Sequence, residues 1–229
     1  MIKHGNRAVT SHCGSFDFLE KIGIEIPETS EEAAEIFNEK KCVFLFAPFF
    51  HPVFKEIAPV RKHFAEMGKK TIFNVLGPLL NPARVRRMLV GVYDEKLLRP
   101  MAEALSILGV EYAYVVNGAG MDEFSICGLN HVIKINNGKL TKQTIHPEQL
   151  GFKRAVPQFL TAGDVYQNIE ESAKIISGEL MGPKRDMLVF NAASALAIST
   201  GFKTSLQEAI GQIEQFIASK PVLFNLPIR

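Results

Sequence analysis

Residues 88–116 read Met-Leu-Val-Gly-Val-Tyr-Asp-Glu-Lys-Leu-Leu-Arg-Pro-Met-Ala-Glu-Ala-Leu-Ser-Ile-Leu-Gly-Val-Glu-Tyr-Ala-Tyr-Val-Val. Met88 to Tyr93 is an apolar run of strand length, and such a run suits a strand buried on both faces. Asp94 then caps a helix on which Leu97, Leu98, Met101, Leu105 and Leu108 recur, and Gly109 is placed to stop it. Tyr112 to Val116 is the next strand. Strand, helix and strand in this order, with apolar strands, predict an α/β fold built on a parallel sheet.

The same alternation extends in both directions. Upstream, Ser15 is read as the cap of a short helix ending before Gly23. Thr29 and Glu32 form a capping box for a helix whose apolar face is Ala33, Ala34, Ile36 and Phe37. Val43-Phe44-Leu45-Phe46 is a further buried strand. Pro52 opens a helix that Pro59 is expected to end or kink, and Thr71 to Val75 reads as a strand. Downstream, Val132–Ile135 and Leu140–Ile145 flank Asn136-Asn137-Gly138, a hairpin signal. Helices follow at Asp164 with Gln167, across Arg185 to Ser199, and at Ser205 with Glu208. The expectation is a single α/β domain over 1–229, with a mainly parallel central sheet flanked by helices and a small antiparallel addition.

Composition narrows the function. The 229 residues are 47% hydrophobic and 22% charged, with a formal net charge of +2. These values belong to a folded globular chain, and so balanced a charge argues against nucleic acid as the main partner. The cysteines, Cys13, Cys42 and Cys127, match no metal motif and are odd in number, which argues against a disulfide framework. The sequence from Met1 to Arg7 has no apolar export signal. The apolar run Cys42–Phe50 is too short to span a bilayer and contains Pro48. A cytoplasmic protein without membrane partners is expected.

Four segments are not explained by packing alone. Lys3-His4-Gly5-Asn6-Arg7 concentrates cations, an imidazole and an amide around a glycine, and Ser11, Gly14 and Ser15 precede a helix start. That pattern suits phosphate oxygens, and it equally suits a solvated terminus with a cap. Ala47-Pro48-Phe49-Phe50-His51-Pro52 follows a buried strand, where open α/β sheets bind ligands. There Phe49, Phe50 and Phe54 can enclose an aromatic ligand and Arg61 can pair with its carboxylate. The alternative puts the phenylalanines in the core. Phe73 to Pro82 forces an irregular path through Gly77-Pro78 and Asn81-Pro82. Gly118-Ala119-Gly120-Met121-Asp122-Glu123 places adjacent carboxylates on a glycine-rich loop, which suits Mg²⁺ or is an ordinary polar loop. Asn191, within an alanine-rich helix, is read as a hydrogen-bonded structural residue.

In this order the segments resemble the anthranilate phosphoribosyltransferase family of the nucleoside phosphorylase/phosphoribosyltransferase class. The resemblance rests on Lys3-His4-Gly5-Asn6-Arg7-Ala8-Val9, Gly14-Ser15, Phe46-Ala47-Pro48 with His51-Pro52, Ala58-Pro59-Val60-Arg61, Phe73-Asn74 with Leu76-Gly77-Pro78-Leu79, Met121-Asp122-Glu123, and Arg185-Asp186 with Asn191-Ala192-Ala193. It implies transfer of phosphoribosyl from phosphoribosyl pyrophosphate to the amine of anthranilate, a step of tryptophan biosynthesis. It implies Lys3, Asn6, Ser11 and Gly14 on phosphoribosyl pyrophosphate, and His4, Asn6, Ala47, Pro48, His51, Phe54, Arg61 and Gly77 on anthranilate. Asp122 and Glu123 would hold Mg²⁺, and no covalent nucleophile is implied. The family form is a homodimer with an N-terminal helical domain and a Gly-Thr-Gly-Gly-Asp loop. Neither precedes Lys3 here, so the chain alone is expected to be inactive. Residues about 47–68 are expected to belong with that helical domain, leaving an apolar patch exposed. A contrasting reading is a non-catalytic or divergent paralogue that keeps the fold and binds a protein partner or another ligand.

Overall fold

Thr29 accepts a hydrogen bond from the Glu32 N–H at 3.2 Å, so the predicted cap opens helix α2, Ser30–Lys40, as read. Helix α1, Ser15–Lys21, starts on a different residue from the one expected. Gly14 is its cap and Ser15 its first helical residue, and the Gly14 N–H donates to Asp17 Oδ2 at 2.9 Å. The computed structural model describes residues 1–7, 14–69 and 71–219, without the side chains of residues 55, 61, 62 and 65. The described residues form two compact units, 1–84 with 162–169, and 85–161 with 170 onward.

In the first unit the opening residues are a strand. β1, Ile2–Gly5, lies parallel to β2, Val43–Phe46, in the register Ile2↔Val43 to Gly5↔Phe46. A parallel pair needs a long crossover, and α1 and α2 supply it. Side chains alternate along β2. Phe46 therefore packs with Phe16, Leu19 and Ile22 of the α1 segment, while Val43 and Leu45 pack with Ala33 and Ile36 of α2. One helix covers each face, which makes β2 the buried apolar run that the sequence announced.

Two short-range readings are corrected downstream. After a single turn α3, Ala47–Phe50, helix α4 spans Val53–Glu66 and continues past Pro59 instead of ending there. Proline removes one backbone donor there, yet the turns on either side keep theirs. None of the described side chains of α4 is buried, and Val53 and Val60 are 58% and 52% exposed. Thr71 to Val75, read as a strand, holds a 3₁₀ turn at Ile72–Asn74. The cause is local: Asn74 Oδ1 accepts the Thr71 N–H at 2.7 Å, giving the backbone an alternative to a strand ladder.

In the second unit the predicted strand–helix–strand appears as β3, Arg87–Gly91, α5, Leu98–Ile107, and β4, Tyr112–Gly118, with β3 and β4 parallel. β5, Asn130–Asn136, and β6, Lys139–Ile145, add antiparallel in the order β3-β4-β5-β6. Their turn places Asn137 at φ 49° and Gly138 at φ 77°. That is the left-handed pair of a tight hairpin, and it is why Asn-Gly is so legible. Helix α6, Val165–Ile176, has its first residues in the first unit and the rest in the second, while α7, Pro183–Ser199, and α8, Leu206–Ala218, belong to the second. The core joins Val116, Phe124, Ile126 and Val132 to Val189, Phe190, Ala193 and Ala197 of α7.

Helix α8 carries two testable local effects of opposite sign. Ser205 Oγ accepts the Glu208 N–H at 3.2 Å, and Glu208 Oε2 accepts the Ser205 N–H at 2.8 Å. Ser205→Ala should cost about 1 kcal/mol in a urea unfolding curve. Gly211 lies inside the same helix, and an added Cβ there would meet nothing within 4 Å. Gly211→Ala should stabilise by about 0.5–1 kcal/mol in the same measurement.

Candidate active site

The C-terminal ends of β1 and β2 carry the first group of functional side chains. His4 lies beside Leu45 in the ladder, and its ring meets that of His51 edge-on at 5.0 Å between centroids. His51 continues to Phe54 at 5.7 Å, and Phe54 to Phe73 at 6.2 Å. His51 Nε2 lies 2.7 Å from the Leu80 carbonyl, in the 3₁₀ turn Gly77–Leu80. His4 is hydrogen-bonded to the Gly77 backbone, and burial together with His51 pushes its imidazole below the ordinary value. Its Nε2 atom is buried and has no hydrogen-bond partner among the described residues. In the neutral ring one nitrogen carries the proton and the other keeps a lone pair.

A cleft of about 290 Å³ is lined by Lys3, Gly14, Ser15, Phe18, Leu19 and Phe44. The outer part of Lys3 reaches solvent, but its surroundings draw the ammonium below its ordinary value by desolvation. Gly5 closes the strand against α1: an added Cβ would lie 3.3 Å from the Phe16 ring and 3.7 Å from Ser15 Oγ. Asn6 is exposed and accepts the Arg7 N–H at 2.8 Å, while Arg7 pairs with Glu20 and lies 5.0 Å over the Phe46 ring. Ser11 falls outside the described residues. Arg61 lies in α4, and its side chain falls outside them as well.

The second unit carries the carboxylate pair. Asp122 and Glu123 follow the tight turn at the end of β4, where Gly118 and Met121 bridge. Gly91 allows this approach, because a Cβ there would come within 1.5 Å of the Asp122 carbonyl oxygen. Burial, then the neighbouring Asp122 charge, pushes the Glu123 carboxyl above its ordinary value. No group of three or more metal-type side chains occurs among the described residues. A repelling pair of carboxylates still fits Mg²⁺, an ion that takes one or two carboxylates and fills its other positions with phosphate oxygens and water.

The structure thus gathers Lys3 and Gly14 on one cleft, and His4, His51, Phe54 and Gly77 in one cluster, with Ala47 and Pro48 in the adjoining turn α3. Sequence reasoning singled out the segment Phe73 to Pro82 without giving Phe73 or the Leu80 carbonyl a role in the cluster, and it missed Gly91. Only Gly91 left a signal, as a glycine inside an apolar strand, which marks a close backbone approach.

Geometry and sequence now converge on a class. Residues 1–220 match the glycosyl transferase family, a/b domain, and the chain belongs to that family. Within it, the chain is similar to anthranilate phosphoribosyltransferases. It is 43% identical over 221 residues to the one from Methanosarcina acetivorans, covering 96% of this chain and 58% of that protein. The solved enzyme from Thermus thermophilus superposes with a TM-score of 0.85 at 38% identity, covering 96% of this chain and 64% of that one. The Saccharomyces cerevisiae enzyme, in complex with PRPP and Mg, gives a TM-score of 0.83 at 26% identity, with 96% and 61% covered. The chain therefore spans about three-fifths of the length of the relatives it matches. No helix among the described residues is long and apolar enough to cross a membrane.

Proposed function

We propose that this chain carries the phosphoribosyl-transfer chemistry of an anthranilate phosphoribosyltransferase. The observation that carries this reading is the buried, unpartnered His4 Nε2 set among His51, Phe54 and Phe73, at the end of a parallel strand pair. An aromatic amine needs flat apolar walls and an acceptor for its N–H, and the cluster offers both. The amine nitrogen attacks the anomeric carbon of phosphoribosyl pyrophosphate, the C–O bond to pyrophosphate breaks, and the ammonium proton passes to His4 Nε2. Lys3, which lines the cleft with Gly14 and Ser15, would be the fixed cation that offsets charge building on the leaving group. Asp122 and Glu123 would hold Mg²⁺, which when bound neutralises pyrophosphate charge. Positioning supplies most of the rate, since nothing in the cluster calls for a covalent intermediate.

Anthranilate fluorescence tests the reading directly. The chain should bind anthranilate saturably, and His4→Ala should weaken that binding by about tenfold, the value of one lost hydrogen bond with its burial cost. Equal binding by wild type and His4→Ala would overturn the assignment of the acceptor. Absence of anthranilate binding by the wild-type chain would overturn the substrate.

The same histidine sets a pH dependence. Its folded value is depressed, so its contribution to stability is fully present above about pH 6.5, the unfolded value, and is lost as pH falls through the folded value. Urea midpoints of wild type and His4→Gln should therefore run parallel between about pH 7 and 8 and converge on acidification.

A further inference from the structure

Asp122 and Glu123 are the only residues between two backbone clamps. On one side, the Met121 N–H donates to the Gly118 carbonyl and the Gly118 N–H to the Met121 carbonyl, both at 2.9 Å. Asn117 backs this turn, accepting the Gly120 N–H at 3.2 Å and donating to the Val92 carbonyl at 2.8 Å. On the other side stands Asn191 of α7. Its Oδ1 accepts the Phe124 N–H at 3.0 Å, and its Nδ2 donates to the Phe124 carbonyl at 2.8 Å and to the Met187 carbonyl at 3.0 Å. A side-chain amide that grips both backbone groups of one residue imitates a strand partner and leaves that residue no freedom to shift.

We infer that Asn191 is a positioning residue for the metal-binding carboxylates, fixing the backbone next to Glu123 so that two mutually repelling groups are held ready for one divalent cation. The inference rests on the reading of Asp122 and Glu123 as Mg²⁺ ligands given above. The physical argument is preorganisation. Two like charges side by side spread apart unless their backbone is held, and a site that must first be ordered binds its ion more weakly. Outer-shell partners of metal ligands set affinity to a similar degree, typically 10–100-fold. Asn191 is well placed for this because α7 is the most buried helix of the unit, with Val189, Phe190 and Ala193 fully enclosed around it.

Mn²⁺ serves as the probe, titrated into the 229-residue chain alone, with free ion followed by electron paramagnetic resonance well below the unfolding temperature. Wild type should bind Mn²⁺, and Glu123→Gln should weaken it. Asn191→Leu, with its near-ultraviolet circular dichroism retained, should raise the Mn²⁺ dissociation constant by about 10–100-fold. A merely structural asparagine would lower the thermal midpoint and leave that constant unchanged, and a folded Asn191→Leu chain with wild-type Mn²⁺ affinity would overturn the inference. Should Asn191→Leu not fold, Asn191→Ser, too short to span both Phe124 groups, is read in the same way. A wild-type chain that Glu123→Gln leaves unaltered in Mn²⁺ binding defeats the metal reading itself, and the positioning role with it.

Discussion

Gly91→Ala is expected to disrupt the Asp122–Glu123 loop more than alanine at any other described glycine. The new Cβ would stand 1.5 Å from the Asp122 carbonyl oxygen and 2.1 Å from its carbon. No rotamer relieves this, because alanine has none and the opposing atoms are backbone. The strand itself accepts alanine readily, so the effect comes from the loop. Either β3 moves away from the sheet or residues 121–123 lift off. Lifting the loop strains the Gly118–Met121 bridge and the Asn191 grip on Phe124. Overpacking of a filled interior costs about 1–3 kcal/mol and sometimes more, and this site belongs at the upper end. Urea unfolding should show that loss, with Mn²⁺ affinity falling alongside. An unchanged midpoint would mean that the loop does not rest on Gly91. Gly118→Ala should behave in the same direction, since its Cβ would lie 2.2 Å from the Glu123 carbonyl oxygen and 2.7 Å from the Ser125 nitrogen.

Phe190→Ala is the second large effect, and it acts from beneath. Phe190 is fully buried, with its ring centroid 4.7 Å from that of Phe124 and 5.1 Å from that of Phe152. Truncation empties the centre of the second unit and removes the ring on which Phe124 rests. Phenylalanine to alanine in a packed core costs about 3–5 kcal/mol. That is a large share of the roughly 5–15 kcal/mol that holds a domain folded. Calorimetry should show a strongly lowered unfolding temperature. Phe190→Leu, which refills most of the space, should recover more than half of the loss. Recovery by leucine separates a packing deficit from a specific need for the ring.

The sequence makes much of this fold legible, and the reasons are physical. Asp94, Gly109 and the leucines between them act within one helix, and Asn137-Gly138 fixes a turn within four residues. Local causes can be read from local text. The contacts that do not show themselves join distant positions. Gly91 meets Asp122, and Asn191 meets Phe124, across separations that no periodicity reports. Thr71 to Val75 misleads for a subtler reason. Its apolar residues fit a strand, but Asn74 closes a side-chain bond to Thr71 that overrides them. Pro59 does not end its helix because the helix signals on either side outweigh a single missing donor. Among the site residues, chemistry alone suggests Lys3, His4, Asp122 and Glu123. That His4 keeps one nitrogen unpartnered emerges only once the Gly77 turn is placed against it.

The β1–β2 pairing has a kinetic consequence. Its two strands meet only after α1 and α2 have been threaded between them, so their encounter spends loop-closure entropy before any ladder bond is made. The β5–β6 hairpin closes across two residues and belongs to the microsecond class of events. A refolding chain, or one leaving the ribosome, would complete that hairpin on contact but would have to hold His4 in reserve until β2 was available to receive it. The histidine of the candidate site is thus tied to the slow pairing, and competence to bind an aromatic amine should appear after secondary structure has largely returned.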